Sequence, residues 1–167
     1  MKLYLASHEI QTKYDFKTGL FVSIHHQNRT PFFPITKNYG IHINTGYETY
    51  IALKRKITKK LPYPYSNCIK NLIPFSSESE KIFSYFTFLN MSYYDQDICM
   101  SFCFQDKLID KCDCSDIGIE SLRNTSYCST MPQLNCLFDF LSNFYVSQNS
   151  ICQNVCHKEC FKIEYEI

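Results

Sequence analysis

Hydrophobic and polar residues alternate in the first third of the chain, a pattern that is typical of strands with one buried face. Leu20–Ile24 is a short apolar run. A second stretch has period two around Gly46, and its members are Ile41, Ile43, Tyr47, Thr49, Ile51 and Leu53. Pro31 and Pro34 mark a loop between the stretches, because proline donates no hydrogen bond to a sheet. Residues 19–67 are therefore predicted to be β structure.

Helical spacing replaces this alternation in the second half of the chain. Ile98, Phe102 and Ile109 form an apolar stripe that predicts a helix over residues 95–111, with acidic residues in its first turn and Lys111 in its last. The preceding segment, residues 76–81, is polar and is expected to be an insertion outside the helices.

A second helix is predicted to begin at Thr130, because Thr130 and Gln133 have the spacing of a capping box and Pro132 lies in the first turn. Its expected core positions are Leu134, Leu137, Phe138, Leu141 and Tyr145. The predicted fold class is therefore α+β, with antiparallel strands followed by two helices.

Charge excludes some classes of function. The chain has 167 residues, with 17 Lys and Arg against 16 Asp and Glu, a net charge of +1 that gives no field for holding nucleic acid. The basic stretch 54–60 is predicted to be a solvated strand edge, and a heparin, lipid-headgroup or nuclear-import patch is the alternative. No window contains the ~18 apolar residues that a membrane-spanning helix needs.

Ten cysteines lie between Cys68 and Cys160, and none precedes them. A dense, even set predicts five disulfides in an oxidising compartment. Zinc is the alternative, because Cys112 and Cys114 form a close pair and Cys152, Cys156, His157 and Cys160 form a close group. No Cys-x2-Cys pair supports it, so no metal or other cofactor is predicted, and His157 is expected to be a surface residue between two bridges.

Three glycosylation sequons agree with an extracellular location: Asn28-Arg29-Thr30, Asn90-Met91-Ser92 and Asn124-Thr125-Ser126. The first nine residues lack the apolar segment of a signal peptide. We therefore expect the chain to be a fragment of a longer protein whose upstream part carries an export signal or a membrane anchor. No catalytic motif occurs, and bridges account for every thiol, so the chain is not expected to be an enzyme.

Three motifs follow one another along the chain. They are Gly19-Leu20-Phe21-Val22-Ser23-Ile24-His25, Leu61-Pro62-Tyr63-Pro64-Tyr65-Ser66-Asn67-Cys68, and Cys99-x3-Cys103-x8-Cys112-x-Cys114 with the cysteines after it. Together they resemble the extracellular region of the trimeric degenerin, epithelial sodium and acid-sensing channels. The resemblance extends over about residues 19 to 165.

The resemblance implies palm and β-ball strands in residues 1–67, a cysteine-rich helical thumb in residues 68–160 and the start of a return strand in residues 161–167. It also implies a nested ladder of bridges: Cys68 with Cys160, Cys99 with Cys156, Cys103 with Cys152, Cys112 with Cys136, and Cys114 with Cys128. Cys99 and Cys103 would then lie on one helical face, opposite an antiparallel return strand. The last three cysteines, Cys152, Cys156 and Cys160, are four residues apart, whereas the family usually has Cys-x-Cys-x2-Pro-Cys at this place.

The function that the resemblance implies is the extracellular gating region of an amiloride-sensitive type, ligand-gated sodium channel subunit, at the plasma membrane on its extracellular side. Its expected partners are other subunits in a homo- or heterotrimer, an extracellular peptide ligand, and the membrane through transmembrane helices that this chain lacks. Tyr65 matches the family's aromatic residue that packs on the first transmembrane helix, and is expected to couple thumb to pore.

Protons are not predicted to be the principal agonist; a peptide or other extracellular ligand, or mechanical force, is the expected stimulus. Acid-sensing members carry an acidic pair just after the Ile-His strand, and the matching positions here are Asn28 and Arg29, which do not titrate in mild acid. Gating by protonation of His25 and His26 remains as the alternative. The alternative to a channel subunit is a free-standing secreted cysteine-rich binding or inhibitory module, which would need an export signal of its own.

Overall fold

The computed structural model of the chain describes residues 20–24, 40–44, 46–146 and 151–166. The strands in these residues are β1 (Leu20–Ser23), β2 (Gly40–Ile43), β3 (Lys54–Lys59) and β4 (Phe161–Glu166). The helices are α1 (Ser77–Phe88), α2 (Gln96–Cys112), α3 (Met131–Val146) and α4 (Ile151–Val155). The α+β class is confirmed, and α1 and α4 add two helices that the sequence pattern did not predict.

The strands form two antiparallel pairs. β1 pairs with β2, with Leu20 opposite Ile43, and β3 pairs with β4, with Lys54 opposite Glu166. The basic stretch is therefore a strand, as predicted. Lys54 and Lys56 lie opposite the carboxylates of Glu166 and Glu164, and the other side of β3 has no strand partner in the described residues. The Nζ of Lys54 is 3.7 Å from Glu166, and that of Lys56 is 3.4 Å from it. Such exposed pairs contribute less than about 1 kcal/mol each.

The predicted continuation of the second strand past Gly46 is wrong. Residues 47–53 have no regular structure, and Tyr47 and Tyr50 are exposed. Alternation specifies a strand only where another surface covers the apolar face, because strand stability comes from that packing. The described residues place no such surface over these tyrosines.

The polar segment before Lys81 is the first turn of helix α1 and not an insertion. Ser76 is the N-cap: its hydroxyl accepts from the Ser79 backbone N–H at 3.1 Å, while the Ser79 hydroxyl accepts from the Ser76 N–H at 2.8 Å. The apolar face begins one turn later, with Ile82, Phe83 and Phe86 buried. Ser79 stands where a capping box usually has Glu or Gln, so the sequence pattern did not indicate this helix start.

Helix α2 is the predicted helix over residues 95–111. Asp95 caps it, with its carboxylate accepting from the backbone N–H groups of Asp97 at 2.9 Å and Ile98 at 3.2 Å. The helix ends at Asp113, whose φ of 53° is left-handed. The predicted stripe is buried, with Ile98 and Phe102 fully inaccessible to solvent.

Helix α3 begins next to the predicted Thr130. The side-chain oxygen of Gln133 accepts from the Ser129 and Thr130 backbone N–H groups, both at 3.3 Å. Leu137 and Leu141 pack against the core, but Phe138 is 64% exposed, contrary to the prediction. One residue turns a helix by about 100°, so Phe138 points away from the stripe that Leu137 belongs to.

Aromatic side chains fill the larger of two buried clusters, between α1, the first half of α2 and α4. Phe86 is central, with its ring centroid 5.0 Å from that of Phe102 and 5.8 Å from that of Tyr94. The smaller cluster lies between Phe104 and Leu108 of α2 and the inner face of α3. Helix α2 therefore contributes to both clusters and holds the helical part of the chain together.

The segment that carries Cys152 and Cys156 is helix α4 and not the expected return strand. The Cys156 N–H donates to the Cys152 carbonyl at 2.7 Å, as in one helical turn. Cysteines four apart share one face of a helix. Cys152 and Cys156 can therefore pair with Cys103 and Cys99 of α2 from a helix, and the pairing does not require a strand.

Candidate functional site

Disulfides connect the helical part of the chain to itself and to the sheet. All ten cysteines are paired: Cys68–Cys160, Cys99–Cys156, Cys103–Cys152, Cys112–Cys136 and Cys114–Cys128. These are the pairs that the resemblance implies. The described residues contain no group of side chains able to hold a metal ion. His157, beside the group considered for zinc, instead stacks on Phe75 with ring centroids 5.3 Å apart.

Backbone hydrogen bonds join the two chain segments that connect the sheet to the helices. The Lys60 N–H donates to the Cys160 carbonyl at 2.7 Å, the Ile69 N–H donates to Lys158 at 2.8 Å, and the Cys160 N–H donates to Ile69 at 3.0 Å. Together with the Cys68–Cys160 bridge, they fasten residues 60–70 to residues 157–163. We call these two segments the junction.

The Leu61–Tyr65 loop projects from the junction. The Tyr65 N–H donates to the Pro62 carbonyl at 3.1 Å, the Ser66 hydroxyl donates to the Leu61 carbonyl at 2.6 Å, and the Tyr63–Pro64 peptide is cis. Tyr65, the predicted coupling residue, is 78% exposed, and Tyr63 and Leu61 are exposed too. The loop therefore has a fixed backbone and an apolar surface that the described residues leave uncovered.

A cavity of about 250 Å³ lies behind the junction, between the loop that leads into α2 and the first residues of β4. Its lining is Ile69, Lys70, Tyr93, Tyr94, Asp95, Glu159, Cys160, Phe161, Lys162 and Ile163. The cavity therefore touches both the helical part and the β3–β4 pair.

Glu159 is a buried carboxyl group of the cavity, and its pKa is changed by its position. Burial raises the pKa of its carboxyl, and nearby Asp95 and Asp97 raise it further, against the lowering effect of its own backbone N–H and of Lys162. The Lys162 Nζ is 3.6 Å from Glu159 but 3.0 Å from Glu164, so one ammonium serves two carboxylates. No pattern in the sequence pointed to Glu159, because its burial depends on contacts with distant residues.

A second buried carboxylate, Asp106 of α2, has three donors. Lys81 lies 2.8 Å away, the Tyr85 hydroxyl donates at 2.8 Å, and the Arg123 guanidinium donates to the same oxygen as Tyr85. Burial raises the pKa of Asp106, but these hydrogen bonds outweigh it and hold the pKa below its ordinary value. The signal for this cluster was present in the sequence, because Asp106 interrupts the apolar stripe one turn after Phe102.

The predicted glycosylation sites fall in different parts of the chain. Asn90 and Asn124 are exposed at turns, with left-handed φ angles of 54° and 53°. Asn28 lies outside the described residues, as do His25, His26 and Arg29. Within the described part of the chain, every helix is too short or too polar to cross a membrane.

Comparison with known proteins identifies the family. Residues 1–167 match the family model described as "Amiloride-sensitive sodium channel". The epithelial sodium channel subunit gamma of Rattus norvegicus is 29% identical over 162 residues, and that of Homo sapiens is 28% identical over 162 residues; in both cases the match covers 95% of this chain and 23% of the relative. Subunit gamma-2 of Xenopus laevis is 24% identical over 160 residues, 95% of this chain and 22% of its own length.

The chain thus spans about a quarter of the length of these relatives. The family and the relatives are named as channels, which agrees with the prediction that the chain is not an enzyme. Because the family model matches the chain from its first residue to its last, the chain belongs to the amiloride-sensitive sodium channel family, that of the degenerin, epithelial sodium and acid-sensing channels.

Proposed function

We propose that this chain forms part of the extracellular region of a sodium channel subunit at the plasma membrane, and that it takes part in ligand gating. The observation that carries the proposal is the Leu61–Tyr65 loop, an exposed apolar surface with a hydrogen-bonded backbone. Large exposed apolar surfaces in a packed protein mark contacts with a further partner. In a complete subunit, the partner of Tyr65 is the outer end of the first transmembrane helix.

The packing of the chain supports a mechanical role. Four of the five bridges lie within residues 99–156 and cross-link the segments that carry α2, α3 and α4, while α1 joins them through the buried aromatic cluster, so the helices resist deformation and move as a unit. Residues 68–160 act as the thumb, residues 1–67 as palm and β-ball strands, and residues 161–167 as the start of the return strand. A displacement of the thumb is then transmitted through the junction to the loop that carries Tyr65.

The partners follow from this role. Other subunits complete a homo- or heterotrimer. Protons are not the expected agonist, because Asn28 and Arg29 do not titrate in mild acid, which leaves an extracellular peptide, another extracellular ligand or mechanical force as the stimulus. A ligand gates the channel only if its affinity differs between two conformations. Asn28, Asn90 and Asn124 carry glycans on the extracellular surface.

The test is Tyr65→Ala in the full-length subunit, with Tyr50→Ala as the matched control at an exposed tyrosine outside the loop. Loss of a coupling contact of about 1–2 kcal/mol shifts the open–closed equilibrium about five- to thirtyfold. We expect agonist-evoked sodium current to fall by that order with Tyr65→Ala and to stay unchanged with Tyr50→Ala. Surface biotinylation should show equal delivery of both variants.

Two outcomes would contradict the coupling role. Unchanged current from a Tyr65→Ala subunit that reaches the surface would mean that Tyr65 transmits nothing. Failure of that subunit to reach the surface would assign Tyr65 to folding instead.

A further inference from the structure

The exposed charges of the junction are all positive. Lys60, Lys70 and Lys158 are exposed, and none of the three has a carboxylate partner within the part of the chain that the structure describes. The one acidic residue of the two segments is Glu159, which is 6% exposed and lies beside Lys162. Three lysines without a counter-charge produce a positive potential, which favours contact with an anionic surface.

The same two segments expose large apolar side chains. Tyr63 is 83% exposed and Leu61 is 64% exposed, and Tyr65 and Phe161 are exposed as well. A single exposed apolar residue is ordinary, whereas neighbouring ones mark a contact surface. The surface of the junction therefore combines apolar side chains with ammonium groups that have no counter-charge.

Backbone hydrogen bonds hold the lysines beside the apolar loop. The Lys60 N–H donates to the Cys160 carbonyl at 2.7 Å, and the Ile69 N–H donates to the Lys158 carbonyl at 2.8 Å. Lys60 directly precedes Leu61, the first residue of the loop. The cations and the apolar side chains thus belong to one fixed part of the molecule.

A phospholipid headgroup layer suits both properties of this surface. Its phosphates attract lysines, and tyrosine is enriched where headgroups meet hydrocarbon. A lysine can place its aliphatic stem on an apolar surface and extend its ammonium group to a phosphate. A sulfated polysaccharide would use the lysines but would leave Leu61 and Tyr63 in water.

We propose that the junction docks on the outer surface of a phospholipid bilayer. Leu61 and Tyr63 enter the headgroup layer, and Lys60, Lys70 and Lys158 contact the phosphates around them. The apolar side chains and the lysines then act together, as they do in proteins that bind at a membrane interface.

The inference rests on the proposed function for the position of the bilayer, because a membrane-spanning helix that packs on Tyr65 brings the loop to the membrane surface. Two residues of extended chain span at most about 7 Å. The headgroup layer of one leaflet is about 5–8 Å thick. Tyr63 can therefore reach the lipid while Tyr65 contacts the helix. Lipid contact would hold the loop at a fixed depth while the thumb moves.

The first test measures insertion of the loop with the purified 167-residue chain, made in an oxidising compartment and checked for the absence of free thiols. The chain has no tryptophan, so Tyr63→Trp introduces a single fluorescent reporter. Vesicles of equimolar phosphatidylcholine and phosphatidylglycerol should shift its emission to the blue, because the ring leaves water. Tyr47→Trp, at a similarly exposed tyrosine outside the junction, should show no shift. No shift with Tyr63→Trp, or the same shift with both variants, would overturn the proposal.

The second test removes charge and measures binding by sedimentation with the same vesicles. Lys60→Gln combined with Lys158→Gln should weaken binding by about 25-fold, which is about fivefold for each lysine. The matched control is Lys54→Gln combined with Lys56→Gln, which removes the same charge from β3. Glu166 already accompanies both of these lysines, so their loss should weaken binding less than about twofold. Equal losses from the two pairs would show that net charge alone drives binding and would refute the site.

Heparin separates bilayer docking from binding of a polyanion. It should leave the emission of Tyr63→Trp unchanged, because it offers no apolar phase. Binding to heparin without binding to vesicles would assign the lysines to a polysaccharide and refute bilayer docking.

Failure of this inference and failure of the proposed function are distinguishable. Vesicle binding together with unchanged current from Tyr65→Ala would support docking and contradict coupling. Loss of current from Tyr65→Ala without vesicle binding would refute docking and leave coupling intact.

Discussion

Two buried carboxylates have opposite surroundings in the two regions of this molecule. Asp106 lies in the helical body, residues 76–156, where Lys81, Arg123 and Tyr85 all donate to it. Glu159 lies in the junction, where it shares Lys162 with Glu164. Hydrogen bonds lower the pKa of Asp106, whereas burial raises that of Glu159. The charge of Asp106 is thus balanced within the helical body, whereas the charge of Glu159 in the junction is only partly balanced.

The same contrast appears in the apolar residues. In the helical body the largest side chains, such as Phe86 and Phe102, are fully buried. In and around the junction Leu61, Tyr65 and Phe161 are exposed. A two-stranded ribbon such as β3–β4 is marginally stable alone in water. The comparison therefore predicts that the helical body folds on its own contacts, while the junction depends on its covalent bridge and on partners.

The largest expected effect comes from the bridge of the junction. Replacing Cys68 and Cys160 together by Ser opens a loop closed by residues 92 apart, worth about 4.6 kcal/mol in the chain-entropy model. The matched change in the helical body is Cys114→Ser with Cys128→Ser, residues 14 apart, worth about 3 kcal/mol. Urea unfolding measures both losses. A larger loss for the Cys114–Cys128 bridge would contradict the comparison.

Hydrogen exchange shows which region loses stability when the bridge of the junction is removed. Without the Cys68–Cys160 bridge, the amides of β3 and β4 should exchange faster while those of α2 stay protected, because local opening follows local stability. Equal acceleration in both regions would mean that they unfold as one unit.

The second largest expected effect compares the loss of stability when a phenylalanine is replaced by alanine in each region. Phe102→Ala removes a fully buried ring from the aromatic cluster and should cost about 3–5 kcal/mol. Phe161→Ala removes a ring that is 53% exposed and should cost about 1 kcal/mol or less. Thermal or urea unfolding of the two variants gives the comparison. Similar losses would show that the junction is packed as firmly as the helical body.

The smallest expected changes in stability come from replacing each of the two buried carboxylates by its amide. Asp106→Asn should cost about 2–3 kcal/mol at neutral pH, because charge-assisted bonds to a buried group are lost. Asp110→Asn, at the exposed partner of the same Arg123, should cost less than about 1 kcal/mol. Glu159→Gln should leave stability unchanged or raise it, because burial disfavours the ionised form.

The pH dependence of these variants has opposite signs. The folded pKa of Asp106 lies below its unfolded value of 3.8, so its stabilisation is present above that value and is lost as the pH falls through the folded pKa. The cost of Asp106→Asn should therefore shrink in that acid range. The pKa of Glu159 is raised, so any gain from Glu159→Gln should disappear as the pH falls through that raised value. Parallel pH profiles would refute the distinction.

The amino-acid sequence by itself determined the parts that depend on short-range signals. The capping residue Asp95, the apolar stripe of α2 and the Thr130–Gln133 cap specify two helices through contacts within a few residues. The spacing of the cysteines and the Leu61–Cys68 motif were sufficient to predict the family. These features could be predicted because each is complete within one stretch of chain.

Tertiary structure alone decided which polar side chains are buried and what covers each buried residue. Asp106 meets Arg123 across 17 residues, and the Tyr94 hydroxyl meets the His157 carbonyl across 63. The cavity at Glu159 exists because the segments that carry Tyr94 and His157 pack together. The same reason explains the exposed tyrosines at residues 47 and 50, since an alternating pattern becomes a strand only where another part of the molecule covers it.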